Sequence, residues 1–153
     1  MDKIESVKVD HTRLGRGLYV SRKDEREGVC VTTFDLRFRE PNKEPVMDTP
    51  AIHTIEHIGA TYLRNSKRKD DVVYFGPMGC RTGFYLVMFG DLRSRDVLAL
   101  VKDMLKFTVG FDGEIPGASA AECGNYLEQN LPMAKYYAKQ YLFSLENEER
   151  LDY

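Results

Sequence analysis

Residue types that would mark a special compartment or partner are scarce in this chain of 153 residues. Cysteine occurs three times, at Cys30, Cys80 and Cys123. The number is odd, the spacing wide and no C-x-x-C pair is present, which argues against a disulfide framework and a structural zinc knuckle. Reduced thiols in a cytoplasmic protein are the expectation, each open to a role as core, ligand or nucleophile. An excess of either charge is also missing: 22 Lys and Arg face 24 Asp and Glu, a formal net charge of -2. Neither a nucleic-acid partner nor a disordered acidic tail is therefore implied. The opening MDKIESVKVDH alternates polar and apolar residues and lacks the apolar core of a signal peptide. The longest apolar run, Phe84–Phe89, falls far short of the roughly 20 residues that span a membrane. Repeats, low-complexity segments and long linkers are absent too, so residues 1–153 are expected to form one domain around one core.

What is present reads as alternating strands and helices. Glu5–Val9 is a candidate short strand, and Leu14–Gly17 is rich in turn formers. Val29–Phe38 has period two, with Val29, Val31, Thr33, Asp35 and Arg37 on one side and Cys30, Thr32, Phe34, Leu36 and Phe38 on the other, so Cys30 is assigned to the core. A loop over residues 40–45 precedes a helix capped by Asp48 or Thr49, with Pro50 in its first turn, running to about Asn65. Beyond a charged loop, Val72–Phe75 and Thr82–Phe89 read as strands flanking a Gly76–Cys80 turn. Thr82–Phe89 is apolar on both faces, which predicts a central strand covered on both sides. Ser94–Phe107 carries an apolar stripe (Val97, Leu98, Val101, Met104, Leu105), 111–121 connects, and a last helix follows Pro132. The pattern predicts an α+β two-layer sandwich, a mainly antiparallel sheet packed against helices.

Chemistry concentrates in His53-Thr54-Ile55-Glu56-His57, which holds two of the three histidines in the chain. At about 100° per residue, His53, Glu56, His57, Ala60 and Arg64 share one helix arc, while Ile52, Ile55, Ile58, Gly59, Tyr62 and Leu63 form the opposite, core-facing arc. A polar arc of this kind is also what any surface helix shows. Yet imidazoles at i and i+4 can reach one ion, with the glutamate beside it as a proton carrier, and H-x-x-E-H is the inverted zinc-peptidase motif. A metallopeptidase, with Glu56 activating water and a downstream carboxylate as third ligand, is therefore one reading. A metal-stabilised binding protein without catalysis is another. His11, any cysteine or an acidic residue is open as third ligand. Cys80 and Cys123 both adjoin glycine, and spacing does not choose between them. Arg64, on the ligand side of the helix, is a candidate for a substrate hydroxyl or for a salt bridge.

Larger segments are more specific. VDHT near the start, FDLRF in the first long strand, HTIEH, PMGCRTGFY and IPGASAAECGNY together resemble S-ribosylhomocysteine lyase, the LuxS family, over essentially the whole chain. The resemblance implies a small α+β fold with metal ligands His53, His57 and Cys123, and a fourth position left to water or substrate. It implies Cys80 and Glu56 as the catalytic acid–base pair, and Ser6, His11 and Arg39 as substrate contacts reaching the site from the other subunit of a homodimer. The implied reaction moves a carbonyl along a ribose chain and eliminates the thioether sulfur, giving homocysteine and dihydroxypentanedione, the precursor of autoinducer-2. It calls for one divalent ion per subunit, Fe(II) with Zn(II) or Co(II) as substitutes, and no organic cofactor. Arg81 and the metal are the cations expected to lower the pKa of Cys80. One position departs from the family pattern: Tyr74 stands where many members have aspartate, which bears on how the amino-acid end of the substrate is held.

Overall fold

Two strands, β1 (Gly17–Arg26) and β2 (Val29–Arg37), form a hairpin closed by Glu27 and Gly28 at φ 54° and 80°. Positive φ at both central residues matches the right-handed twist of the paired strands, and glycine adopts it without a steric penalty. β2 then pairs antiparallel with β4 (Gly83–Phe89), and β4 with β3 (Val72–Pro77), giving the order β1-β2-β4-β3. Among the described residues of the computed structural model, three α-helices, α1 (Thr49–Asn65), α2 (Ser94–Gly110) and α3 (Leu131–Asn147), and a short 3-10 turn at Lys69–Asp71 complete the fold. The structure describes residue 4 and residues 8–153. Ser6 and most of the strand expected over Glu5–Val9 lie outside them, and Lys8 and Val9 are not in a strand.

The helices lie on one face of the sheet. Phe34 and Leu36 of β2 and Phe84, Leu86 and Met88 of β4 are fully buried against Ile55 and Leu63 of α1, Val101 and Met104 of α2, and Ala138 and Tyr141 of α3. Each large side chain removed from water contributes on the order of 2 kcal/mol, so this layer is the main stabilising element. The register places Phe34 opposite Leu86 and Leu36 opposite Phe84, and Phe38 stacks on Tyr141 with ring centroids 4.2 Å apart.

The other sheet face differs from expectation. β4 is central, as its apolar sequence requires, but among the described residues no second layer covers its far side: Phe89 is 47% exposed, and Tyr85 and Val87 are only half-buried. β1 itself has no counterpart in the sequence reading. From Arg22 to Arg26 its residues are polar and exposed, because an edge strand with one neighbour needs little apolar surface and is protected by charge. Cys30 is not core either. It sits half-buried near the hairpin end of β2, opposite Glu25, outside the core cluster.

Candidate metal centre and active site

α1 begins as its sequence dictates. The Asp48 carboxylate accepts from the Ala51 N–H at 3.2 Å, and Pro50 occupies the first turn. The arc bearing His53, Glu56 and His57 is not open to solvent; the irregular segment 111–130 lies over it. The Nδ1–H of His53 donates to the Glu128 carbonyl at 2.9 Å and that of His57 to the Pro116 carbonyl at 2.6 Å. The Asn130 N–H donates to the Thr54 hydroxyl at 2.9 Å, fastening the end of the segment to the same helix. Gly117, at φ 70°, lets the chain pass close: a Cβ there would lie 3.3 Å from His57 Nδ1.

With both Nδ1 atoms engaged as donors, each imidazole keeps its Nε2 lone pair for a ligand, the orientation that outer hydrogen bonds impose on metal-binding histidines. The two Nε2 atoms are 3.0 Å apart, and Cys123 Sγ lies 3.4 Å from that of His53. All three donor atoms fall within 4.8 Å of one another. Tetrahedral bonds of about 2.1 Å to nitrogen and 2.3 Å to sulfur would hold such donors roughly 3.3–3.6 Å apart, so the set fits one divalent ion. The Asn125 N–H donates to the Cys123 sulfur at 3.4 Å. A thiol as third donor also departs from the carboxylate that a peptidase of this motif would bring. Glu56, between the histidines, is half-buried and makes no hydrogen bond or ion pair among the described residues.

Cys80 occupies a different neighbourhood. It lies exposed in the turn between β3 and β4, which closes through Met78 N–H to Gly83 O and Arg81 N–H to Met78 O, both 2.9 Å. Its sulfur is 3.1 Å from the Thr82 hydroxyl, and that hydroxyl accepts from Arg37 Nη1 at 2.6 Å, leaving its own hydrogen for the sulfur. Arg37 Nη1 itself stands 3.9 Å from the thiol. Arg37 is fixed in turn by Asp35, through Nε at 3.0 Å and Nη2 at 2.5 Å. Burial alone would push the Cys80 thiol up, but hydrogen bonds from the Thr82 side chain and backbone, together with Arg37, outweigh it and hold the thiol below its ordinary range. The protein cation acting here is therefore Arg37 of β2. The sequence neighbour Arg81, to which the sequence reading gave that role, is exposed at φ 58°.

The remaining candidates are scattered. His11 is half-buried, its Nδ1 donating to Val9 O at 2.8 Å. Arg39 is 7% exposed and turned into the fold: its Nε donates to Pro45 O, Nη1 to Gln140 Oε1, and Nη2 pairs with Glu44 at 3.0 Å. Arg64 is exposed and donates to the Val73 carbonyl of β3 at 2.9 Å. Tyr74 is 50% exposed on the uncovered side of the sheet. Ser6 lies outside the described residues.

Residues 4–151 match the family model described as S-Ribosylhomocysteinase (LuxS). The chain belongs to that family. Similar proteins include one from Borreliella burgdorferi, 56% identical, and one from Clostridium acetobutylicum, 54% identical, each over 100% of this chain and 99% of the relative. One from Porphyromonas gingivalis is 53% identical over the same shares. All three are named S-ribosylhomocysteine lyase.

Within this LuxS-family chain, the residues that sequence reasoning passed over are Arg37, Thr82 and Asp35, together with the carbonyls of Pro116 and Glu128. Carbonyls leave no signature in side-chain chemistry. The strand pair does: opposite charges at i and i+2 share one strand face, and a buried position there demands a partner. The Thr82 contact carries a prediction. Thr82→Val keeps the buried shape, removes the hydroxyl between Arg37 and the sulfur, and raises the pKa of Cys80. Alkylation of Cys80, followed by mass spectrometry across pH, is expected to show its midpoint moved upward. The linkage has a definite sign. A thiol whose folded pKa is depressed contributes stability that is fully present above its unfolded pKa and is lost as pH falls through the folded value. The wild-type stability advantage over Thr82→Val therefore belongs to the alkaline side and fades as the solution is acidified.

Proposed function

We propose that this chain is a cytoplasmic S-ribosylhomocysteine lyase, which opens the thioether of S-ribosylhomocysteine to give homocysteine and dihydroxypentanedione, the precursor of autoinducer-2. The observation that carries the reading is the convergence of His53 Nε2, His57 Nε2 and Cys123 Sγ in a chain of this family. One divalent ion, Fe(II) with Zn(II) or Co(II) as substitutes, is the proposed occupant, held by those three residues. When bound it supplies a Lewis acid beside the sugar carbonyl.

The protein's own part is proton management. Loss of a proton next to a carbonyl needs a base ionised near neutral pH, and Cys80, with its thiol held low by Thr82 and Arg37, is that base. Glu56, whose carboxylate has no competing partner among the described residues, serves the transfer at the other end of the migrating carbonyl. Ser6, His11 and Arg64 are proposed to contact substrate. The donors of Arg39 already serve Glu44, Pro45 and Gln140, so the arginine we place beside the reacting atoms is Arg37.

A homodimer with its sites at the subunit interface completes the proposal. The side of the sheet that the described residues leave exposed supports it: Val29 at 52%, Tyr74 at 50% and Phe89 at 47% exposure form apolar surface that a second copy would bury.

The test is anaerobic incubation with S-ribosylhomocysteine, titration of released thiol, and metal analysis on the same sample. One thiol per substrate, with about one metal per chain, is expected. Metal-loaded protein that releases no thiol would overturn the assignment.

A further inference from the structure

The last residue of the chain stands against the charge pair behind Cys80. Residues 150–152 run past the sheet edge, where the Leu18 N–H donates to Arg150 O at 2.9 Å and the Ser94 hydroxyl to Leu151 O at 3.0 Å. This brings Tyr153 face to face with Tyr19, ring centroids 4.6 Å apart and planes within 15°. From there its hydroxyl donates to Asp35 Oδ2 at 3.0 Å. The same oxygen accepts from Arg37 Nη2 at 2.5 Å, and Arg37 Nη1 reaches the Thr82 hydroxyl and the Cys80 sulfur.

We propose that Tyr153 is a positioning residue for Cys80: its hydroxyl fixes Asp35, which fixes Arg37 against the Thr82–Cys80 pair. The role rests on Cys80 as the reacting thiol of the proposed lyase, although the geometry itself does not depend on the reaction.

Asp35 and Arg37 are almost sealed off, with side-chain exposures of 3% and 4%. A buried carboxylate needs its lone pairs filled, and a guanidinium opposite it is held only as firmly as the carboxylate is. Tyr153 fills a position on Oδ2 that Arg37 does not use. By withdrawing charge from Asp35 it also leaves more of the Arg37 charge unbalanced toward the sulfur. The other ionisable groups acting on Asp35 are His11, Tyr19 and Tyr141. The hydroxyl of Tyr19 donates instead to Gly15 O, and that of Tyr141 to Gly17 O. Burial, then the adjacent Asp35 charge, keep the Tyr153 phenol protonated well above neutrality, so it remains a donor across the working range.

Tyr153→Phe removes the hydroxyl and retains the stacked ring. The measurement is the pH profile of Cys80 alkylation in the metal-loaded protein, resolved by peptide mass spectrometry, beside melting temperature. The expected midpoint lies about half a unit higher than in wild type, a roughly threefold smaller thiolate fraction below the midpoint. Tyr19→Phe, which deletes a neighbouring hydroxyl that does not touch Asp35, should leave the midpoint in place. A Tyr153→Phe profile superimposed on wild type overturns the proposal. So does an equal shift in Tyr19→Phe, which would trace the effect to packing. Because ionisation is read without substrate, an absence of lyase activity would not disturb this result.

Discussion

Cys80→Ala and Glu56→Gln proteins should purify with a full complement of metal and release no thiol above background. Positioned general acids and bases contribute about 10²–10⁴-fold each, and this reaction asks for proton transfers at two places on one carbon chain. Neither substitution touches the ligand set or its outer bonds: His53 and His57 remain fixed by Glu128 O and Pro116 O, and Cys123 keeps its Asn125 contact. Neither should disturb the fold. Cys80 is exposed in its turn, and Glu56 has no described partner to lose, so stability changes within about 0.5 kcal/mol are expected. Metal per chain, melting temperature and initial rate on the same preparations give the pattern: two unchanged, one abolished. A Cys80→Ala enzyme turning over near the wild-type rate would show that the base lies elsewhere.

The places where sequence and structure diverge share a physical origin. Period-two alternation over Val29–Phe38, the Asp48–Pro50 start and the apolar stripe of Ser94–Phe107 were legible because each is a local pattern enforced by one buried layer. The strand Gly17–Arg26 was hidden because its outer half buries nothing and so carries no apolar period. Uncovered apolar residues on β4 read as a second buried face because a sequence records that a surface is apolar, not which molecule covers it. In the site, His53 and His57 were visible through their i, i+4 spacing, but spacing did not choose Cys123 over Cys80; only the family resemblance did. That choice depends on a segment of irregular backbone folding back across α1, fixed by carbonyls that no residue type announces. Arg37 was visible only as a strand residue. Its link to Cys80 runs across the β2–β4 register, where Arg37 faces Gly83, and long-range pairing of that kind is not written locally.

Cys123→Ala should produce the opposite signature: metal lost, activity lost, and a melting temperature that no longer responds to chelation. Two imidazoles alone hold a divalent ion far more weakly than two imidazoles and a thiolate, and the thiolate also brings the charge that offsets part of the cation. The stability consequence follows from where the ligands sit. Residues 111–130 contain no helix or strand and are tied to α1 by a few hydrogen bonds, among them those of His53, His57 and Thr54. An ion joining Cys123 to both histidines adds a cross-link between segment and helix that exists only in the folded chain. At a free-metal concentration about a thousand times Kd, that linkage is worth about 4 kcal/mol. At roughly 2–4 °C per kcal/mol for a chain of this size, the chelator should lower the wild-type melting temperature by about 10 °C. Cys123→Ala should melt near that lowered value with or without chelator, while Glu56→Gln, with all three donors intact, should drop as wild type does. A Cys123→Ala protein that retained one metal per chain and released thiol would remove the sulfur from the centre and, with it, the assignment of these three residues as ligands.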